Sequence, residues 1–242
     1  MRGPHNIIRL IRTGATLERT GAMKVVLDAF ETGPLLRGVF RTIVWPFQWL
    51  GYKGDVSTPP AVRALPALGP PYIKFGQILS TRPDVVGDEL AVQLRVLQDK
   101  LPPFPTDRAK EEIQREIGFA VEDVFSSFSE PVAAASLAQV HKAHLIETGE
   151  AVAVKVLRPG IEKAFRKDID AFYFAARAIE LLSPASRRLR PMDVITHFEG
   201  IVIGELDLRL ESSAASEFSA NTAQDAGFQV PHVRWHLSGR RV

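Results

Sequence analysis

The sequence predicts an α+β chain: an all-helical first half, then a small antiparallel sheet with further long helices. Three observations carry that prediction. Through residues 1–125 apolar residues recur at helical spacing, punctuated by Gly and Pro. At residue 126 the pattern changes, and "PVAAASLAQVHKAHLIETGEAVAVKVL" (131–157) holds two alternating, strand-like runs. They are joined by Glu147-Thr148-Gly149-Glu150, a turn with a glycine for a positive φ. After "RPG" (158–160), two long helical stretches follow at 161–182 and 193–220.

Taken in order, helices are expected over 5–19, 22–31, 34–50, 60–68, 71–81, 88–99 and 106–117. The first lies in a basic segment, where Arg2, Arg9, Arg12, Arg19 and Lys24 face only Glu18 and alternate with Ile7, Ile8, Leu10, Ile11 and Leu17. A membrane-surface helix, a transit peptide and a solvated helix all fit that pattern. "TIVWPFQWL" (42–50) is too short to span a bilayer and contains Pro46. "KLPPFP" (100–105) is a loop that no helix crosses. Thr106 or Asp107 suits the cap of the next helix, and Asp193 that of the last, with Gly227 beyond its end. "QVPHVRWHL" (229–237) reads as a further strand. These changes divide the chain into 1–125 and 126–242.

The bulk numbers narrow the function classes. A chain of 242 residues has room for one large or two small domains. A net charge of +2 provides no whole-molecule field for nucleic acid. With no cysteine, disulfides and thiolate metal sites are excluded, and a reducing compartment is expected. The six histidines form no HExxH pair.

Four motifs can carry chemistry. In "YIKFGQILSTRPD" (72–84), Lys74, Gln77 and Thr81 fall on one helical stripe, with Ile73, Phe75, Ile78 and Leu79 expected to be buried. Gly76 costs that helix about 1 kcal/mol relative to alanine. In "AVAVKV" (151–156), alternation puts Ala151, Ala153 and Lys155 on one face and three valines on the other. A flat face ending in a cation suits a planar ring on Ala153 with phosphate near Lys155, the design of a kinase small lobe. A solvent-facing edge lysine is the plainer reading. In "IGELDLRLESSAASEF" (203–218), Asp207 and Glu211 are four apart on a helix and repel unless a cation such as Lys155 or Lys74 joins them. The alternative is a solvated acidic face. In "VAAASLAQVHKA" (132–143), alanines stand where a phosphate-cradling loop has glycines, and alanine disfavours the left-handed conformations glycine adopts. By itself the string is also an ordinary small-residue turn.

"KFGQ", "AAAS", "VAVK" and "ELDLRLE" resemble, in order and spacing, the UbiB/AarF family of atypical protein-kinase-like proteins. "GPPYIKFGQILSTRPDVV", "LQDKLPPFP" and "VKVLRPGIEK" extend the resemblance over residues 5–242. It implies a kinase-like small lobe, an antiparallel sheet plus an αC-type helix, behind an N-terminal helical extension carrying the KxGQ helix. On it, Lys74 and Gln77 are the signature pair, and Glu205 and Asp207 the acidic pair that Lys74 meets. Lys155 is the nucleotide lysine and Glu211 its αC-type partner. Ala133, Ala134, Ala135 and Ser136 form the alanine-rich loop and, with Val140, Ala153 and Lys155, contact nucleotide.

The resemblance also implies ATP or ADP with Mg²⁺, and an atypical kinase-like ATPase supporting ubiquinone biosynthesis. Expected partners are quinone-biosynthesis proteins, lipid intermediates and a peripheral membrane contact through the basic N-terminal helix, with no nucleic acid. The expected location is the cytoplasm at the inner membrane, or the mitochondrial matrix. A non-catalytic lipid- or partner-binding module and an inactive fragment are the alternatives. No GxGxxG or di-iron carboxylate pattern supports hydroxylase chemistry. No HxD with a downstream DFG occurs in the sequence. The aspartates that hold Mg²⁺ are therefore expected in a larger lobe outside these residues, and without them phosphoryl transfer lacks its main electrostatic stabilisation.

Overall fold

The computed structural model describes residues 5–29, 33–98, 102–182, 187–188, 190–225, 227 and 229–242. Arg2 and the expected helix ends at 31 and 99 lie outside the described residues. The chain packs as two compact units that are discontinuous in sequence: 1–100 with 163–199, and 101–162 with 200–242.

The first unit opens with α1 (His5–Thr20), α2 (Ala22–Ala29), α3 (Pro34–Val44) and a 3₁₀ turn, Trp45–Leu50. It continues with α4 (Pro60–Leu68), α5 (Pro70–Ser80), α6 (Pro83–Val86), α7 (Asp88–Arg95) and a 3₁₀ turn at Val96–Gln98. The helix expected over 34–50 therefore changes winding at Trp45, next to Pro46, whose missing N–H and fixed φ disrupt the α ladder. A proline starts α3, α4, α5 and α6, where its absent N–H costs nothing. Gly51 is required by close approach, since a Cβ there would lie 2.4 Å from the Ala15 carbonyl. Arg19 donates to the Gly51 carbonyl at 2.7 Å and fastens this loop to α1.

Two later helices contribute to the same unit: α10 (Ile161–Leu182) through residues 163–182, and α11 (Pro191–Glu205) through 191–199. Their aromatic residues meet α5. Phe75 lies edge-on to Phe198 at 5.1 Å and tilted to Phe172 at 5.3 Å, while Tyr72 meets Phe172 edge-on at 4.8 Å. The Tyr72 hydroxyl shares a 2.7 Å hydrogen bond with Thr13, and burial pushes its phenol up to about 12. Asp168 on α10 is buried, and Arg9 of α1 donates to both its oxygens. Burial raises the Asp168 pKa, and the Arg9 guanidinium opposes that shift.

The second unit begins with α8 (Thr106–Ile117) and α9 (Val121–Val124), followed by β1 (Phe125–Ala134), β2 (Ala138–Leu145) and β3 (Ala151–Leu157). The strands form an antiparallel sheet in the order β1-β2-β3. Its inner face supplies Phe125, Ala143, Leu145, Val154 and Val156 to a core closed by Ala109 and Ile113 of α8 and by Val121. β1 was not expected as a strand. "FSSFSEPVAA" slips register between Phe125 and Ser127, Phe128 and Pro131, and Pro131 and Ala133, so its alternation is scrambled by bulges. Pro131 is tolerated because β1 is an edge strand.

Four further expectations need correction. The stretch 193–220 is two helices, α11 and α12 (Leu208–Asn221), broken at Leu206–Asp207. Residues 229–237 form no ladder and include only a 3₁₀ turn, Trp235–Leu237. Neither Thr106 nor Asp107 caps α8, because Pro105 holds the cap position and the Thr106 hydroxyl donates to Glu130 at 2.6 Å. Asp193 likewise lies inside the first turn of α11, ion-paired with Arg190.

Candidate nucleotide site on the small sheet

Directly opposed residues in a sheet share a face. Val140 on β2 pairs with Ala133 of β1 on one side and Lys155 of β3 on the other, and Ala153 pairs with Lys142. Ala133, Val140, Ala153 and Lys155 therefore share the face opposite the core valines Val154 and Val156. Ala133 and Ala153 are exposed, and Val140 and Lys155 are half-buried. The result is a flat apolar surface that carries two ammonium groups, the exposed Lys142 opposite Ala153 and, at its edge, Lys155.

The Lys155 ammonium is paired. Lys155 Nζ donates to both carboxylate oxygens of Glu211 on α12, each at 2.6 Å. The side chains remain 41% and 61% exposed, so the pair adds at most about 1 kcal/mol to stability. Its larger effect is to fix where the cation sits, because Glu211 projects from the first turn of a helix.

Ala133 and Ala134 end β1, and Ser136 and Leu137 form the centre of the hairpin turn, closed by the Ala135 N–H donating to the Ala138 carbonyl at 2.8 Å. Among the described residues only Arg190 is a non-glycine with positive φ, so no alanine in this turn is strained. The loop needs no glycine to form, and alanine makes it stiffer than a glycine loop.

Arg158, which sequence reasoning passed over as punctuation, supports the turn from behind. Its Nε and Nη2 donate to the Ala135 carbonyl at 3.2 and 3.1 Å, and Nη2 also donates to Pro102 at 2.9 Å. The guanidinium lies 5.6 Å from the centre of the Phe104 ring. Gln139 holds the Phe104 backbone on both sides, accepting from its N–H at 2.9 Å and donating to its carbonyl at 3.2 Å. Two residues further on is His141, fully buried and stacked on Phe128. Its Nδ1 donates to the Ser129 carbonyl and its Nε2 accepts from Gln139, which fixes the neutral tautomer. Burial lowers its pKa below the ordinary value of 6.5.

Two of the other nominated residues, Gln77 and Asp207, bond to groups nearby in their own units. Gln77 donates to the Leu97 carbonyl at 2.9 Å and ties α5 to the turn after α7. Lys74 is half-buried on α5. Glu205 ends α11. Asp207 caps α12 by accepting from the Arg209 N–H at 3.2 Å, and the Arg209 guanidinium beside it keeps its carboxyl below the usual range. Asp207 and Glu211 therefore do not form the i, i+4 pair expected within one helix, because the backbone at Asp207 is extended. Asp207 is a strong cap residue before an apolar run; it was misread as mid-helical because the leucines on either side continued the periodicity.

The Asp207 end of α12 is anchored by the last residues of the chain. Leu208 N–H donates to the Arg240 carbonyl at 2.9 Å, and Leu157 N–H at the end of β3 to the Arg241 carbonyl at 3.0 Å. Arg241 is also paired with Glu112 of α8 at 3.0 Å and with Glu162.

Comparison with known proteins agrees with this architecture. Residues 96–242 match the model of the ABC1 atypical kinase-like domain. The chain is 44% identical over 230 residues to the probable protein kinase UbiB of Pseudomonas aeruginosa (strain LESB58), covering 94% of this chain and 43% of that protein. It is 39% identical over 233 residues to the probable protein kinase UbiB of Azotobacter vinelandii, covering 94% and 42%. Against the probable protein kinase UbiB of Marinobacter nauticus it is 41% identical over 180 residues, covering 74% and 33%. The chain thus spans about two-fifths of the length of the first two relatives.

Proposed function

The chain belongs to the UbiB/AarF family of ABC1 atypical kinase-like proteins, and on that premise we propose that its sheet face binds the adenine nucleotide of a kinase-like ATPase acting in ubiquinone biosynthesis. The observation that carries the proposal is the Lys155–Glu211 pair at 2.6 Å at the edge of the Ala133–Val140–Ala153 surface. A planar base stacks on small side chains without steric cost, and a cation fixed beside it takes the phosphates. An ammonium has three donors, so Lys155 can bond phosphate while Glu211 orients it. A bound ATP or ADP with Mg²⁺ supplies the phosphoryl group; the residues of this chain bind and orient it. Lys74, Gln77, Glu205 and Asp207 enter the proposal through the family motifs as residues required for the same activity.

The test is titration of the full-length protein with Mg-ADP and Mg-ATP, with ATP hydrolysis read in parallel. A charge-assisted hydrogen bond contributes about 1.5–3 kcal/mol, so Lys155→Met should weaken nucleotide binding by about 10- to 100-fold. Wild-type protein that binds neither nucleotide would rule the proposal out.

A second reading, contact with a lipid surface, rests on a different observation. Ile43, Trp45 and Trp49 are 57%, 69% and 74% exposed, and Arg41 and Lys53 beside them in sequence are exposed as well. Tryptophan with nearby cations is the composition of a membrane-interface patch. Arg9 and Arg19 have partners within their own unit, while Arg12, Ile7 and Ile8 of α1 are exposed, so the basic N-terminal helix stays part of this reading beside the Trp45–Trp49 turn. Among the described residues no helix is long and apolar enough to cross a membrane. Sedimentation with anionic vesicles should fall when Trp45 and Trp49 become serine; unchanged sedimentation rejects this reading.

A further inference from the structure

Arg158 lies outside the flat sheet face yet holds the turn at its end. Its guanidinium joins three separate pieces of chain: the Ala135 carbonyl in the turn, the Pro102 carbonyl ahead of α8, and the Phe104 ring. Its own N–H donates to the Leu137 carbonyl at 2.8 Å, so side chain and backbone grip the turn on both sides of Ser136. Behind it, Gln139 brackets Phe104, and buried His141 accepts one hydrogen bond from Gln139. Every member of this chain of contacts is buried or half-buried except Pro102 and Ala135, the two whose carbonyls Arg158 takes. Burial lowers the Arg158 pKa, but a guanidinium in a protein keeps its charge.

We infer that Arg158 is a positioning residue that sets the place of the Ala133–Ser136 turn relative to the sheet face, and thereby the affinity for the phosphate tail of a nucleoside diphosphate or triphosphate. The inference rests on the nucleotide reading above. An alanine turn closed by one short hydrogen bond has few ways to hold its position against the charge of a phosphate. Arg158 adds three hydrogen bonds from a planar fork, which fixes direction as well as distance. Lysine in its place is a point charge and reaches one carbonyl at a time, so it restores part of the effect.

The experiment compares full-length wild type with Arg158→Met, which keeps the apolar stem, with Arg158→Lys, and with Phe104→Leu, which removes the ring and keeps apolar bulk. Two readouts are taken: amide hydrogen exchange over 133–138 without ligand, and affinities for Mg-ADP and for adenosine. With the grip lost, exchange at Ala135 should speed up about 10-fold and ADP binding weaken about 10-fold, while adenosine binding is unchanged because it lacks the phosphates. Arg158→Lys and Phe104→Leu should fall between wild type and Arg158→Met. Equal weakening of ADP and adenosine, native exchange in Arg158→Met, or native ADP affinity despite faster exchange would each overturn the assignment. Wild-type protein that binds no nucleotide instead defeats the underlying nucleotide reading.

Discussion

Gly76 stands in the middle of α5, where helix propensity alone favours alanine by about 1 kcal/mol. Replacing it with alanine should nevertheless destabilise the protein. A Cβ at position 76 would lie 2.6 Å from Leu65 Cδ1, 2.9 Å from Leu97 Cδ1 and 3.4 Å from Leu94 Cδ2. Leu97 is buried and Leu65 half-buried, so the two closest methyls cannot both retreat without disturbing packed neighbours. Inserting a methyl into such a place costs about 1–3 kcal/mol, which exceeds the helical gain at most values in that range. The expected net loss is about 1 kcal/mol, a fall in melting temperature of roughly 2–4 °C for a chain of this size. Urea unfolding of Gly76→Ala, Leu65→Ala and the double variant measures it directly. Removing the Leu65 methyls makes room for the new one, so the double variant should be more stable than the sum of the singles by about 1 kcal/mol. Gly76→Ala at or above wild-type stability, with additive singles, would show that the close packing around Gly76 does not account for the glycine.

Other predictions follow from single contacts. His141 carries a depressed pKa, so below about pH 6.5 the unfolded chain takes up the proton first. Stability should be level above that pH and fall as pH drops from 6.5 through the folded value; His141→Gln should flatten that part of a urea-midpoint profile. Asp207→Ala removes the α12 cap and should cost about 1 kcal/mol by chemical denaturation, against no change if the cap is idle. A double-mutant cycle on Lys155 and Glu211 should give a coupling below about 1 kcal/mol in stability, since both side chains are largely exposed. The same cycle read in ADP affinity should show a larger coupling, and equal values would argue that the pair has no ligand to orient.

What could be read from the sequence was whatever repeats locally. The helical first half is written in 3.6-residue periodicity and proline starts, and β3 in the clean alternation of "AVAVKVL", while β2 alternates only in part because polar Gln139 and His141 are buried. Lys155 and Glu211 could be nominated from motif order, although 56 residues separate them and only the fold brings them to 2.6 Å. β1 was hidden because its bulges break the period of two. The break at Asp207 was hidden because Leu206 and Leu210, four apart, mimic an unbroken stripe, although one is buried and the other exposed. Arg158 was missed for a different reason. Its three partners, Pro102, Phe104 and Ala135, lie 23 or more residues away, and no local pattern encodes such a convergence.

The most direct measurement is amide hydrogen exchange of the full-length protein with and without saturating Mg-ADP. Slower exchange confined to the Ala133–Val140 and Ala151–Leu157 segments, and lost in Lys155→Met, is the expected result. Protection absent from both segments, or unchanged when Lys155 is replaced, would contradict a nucleotide site on this sheet.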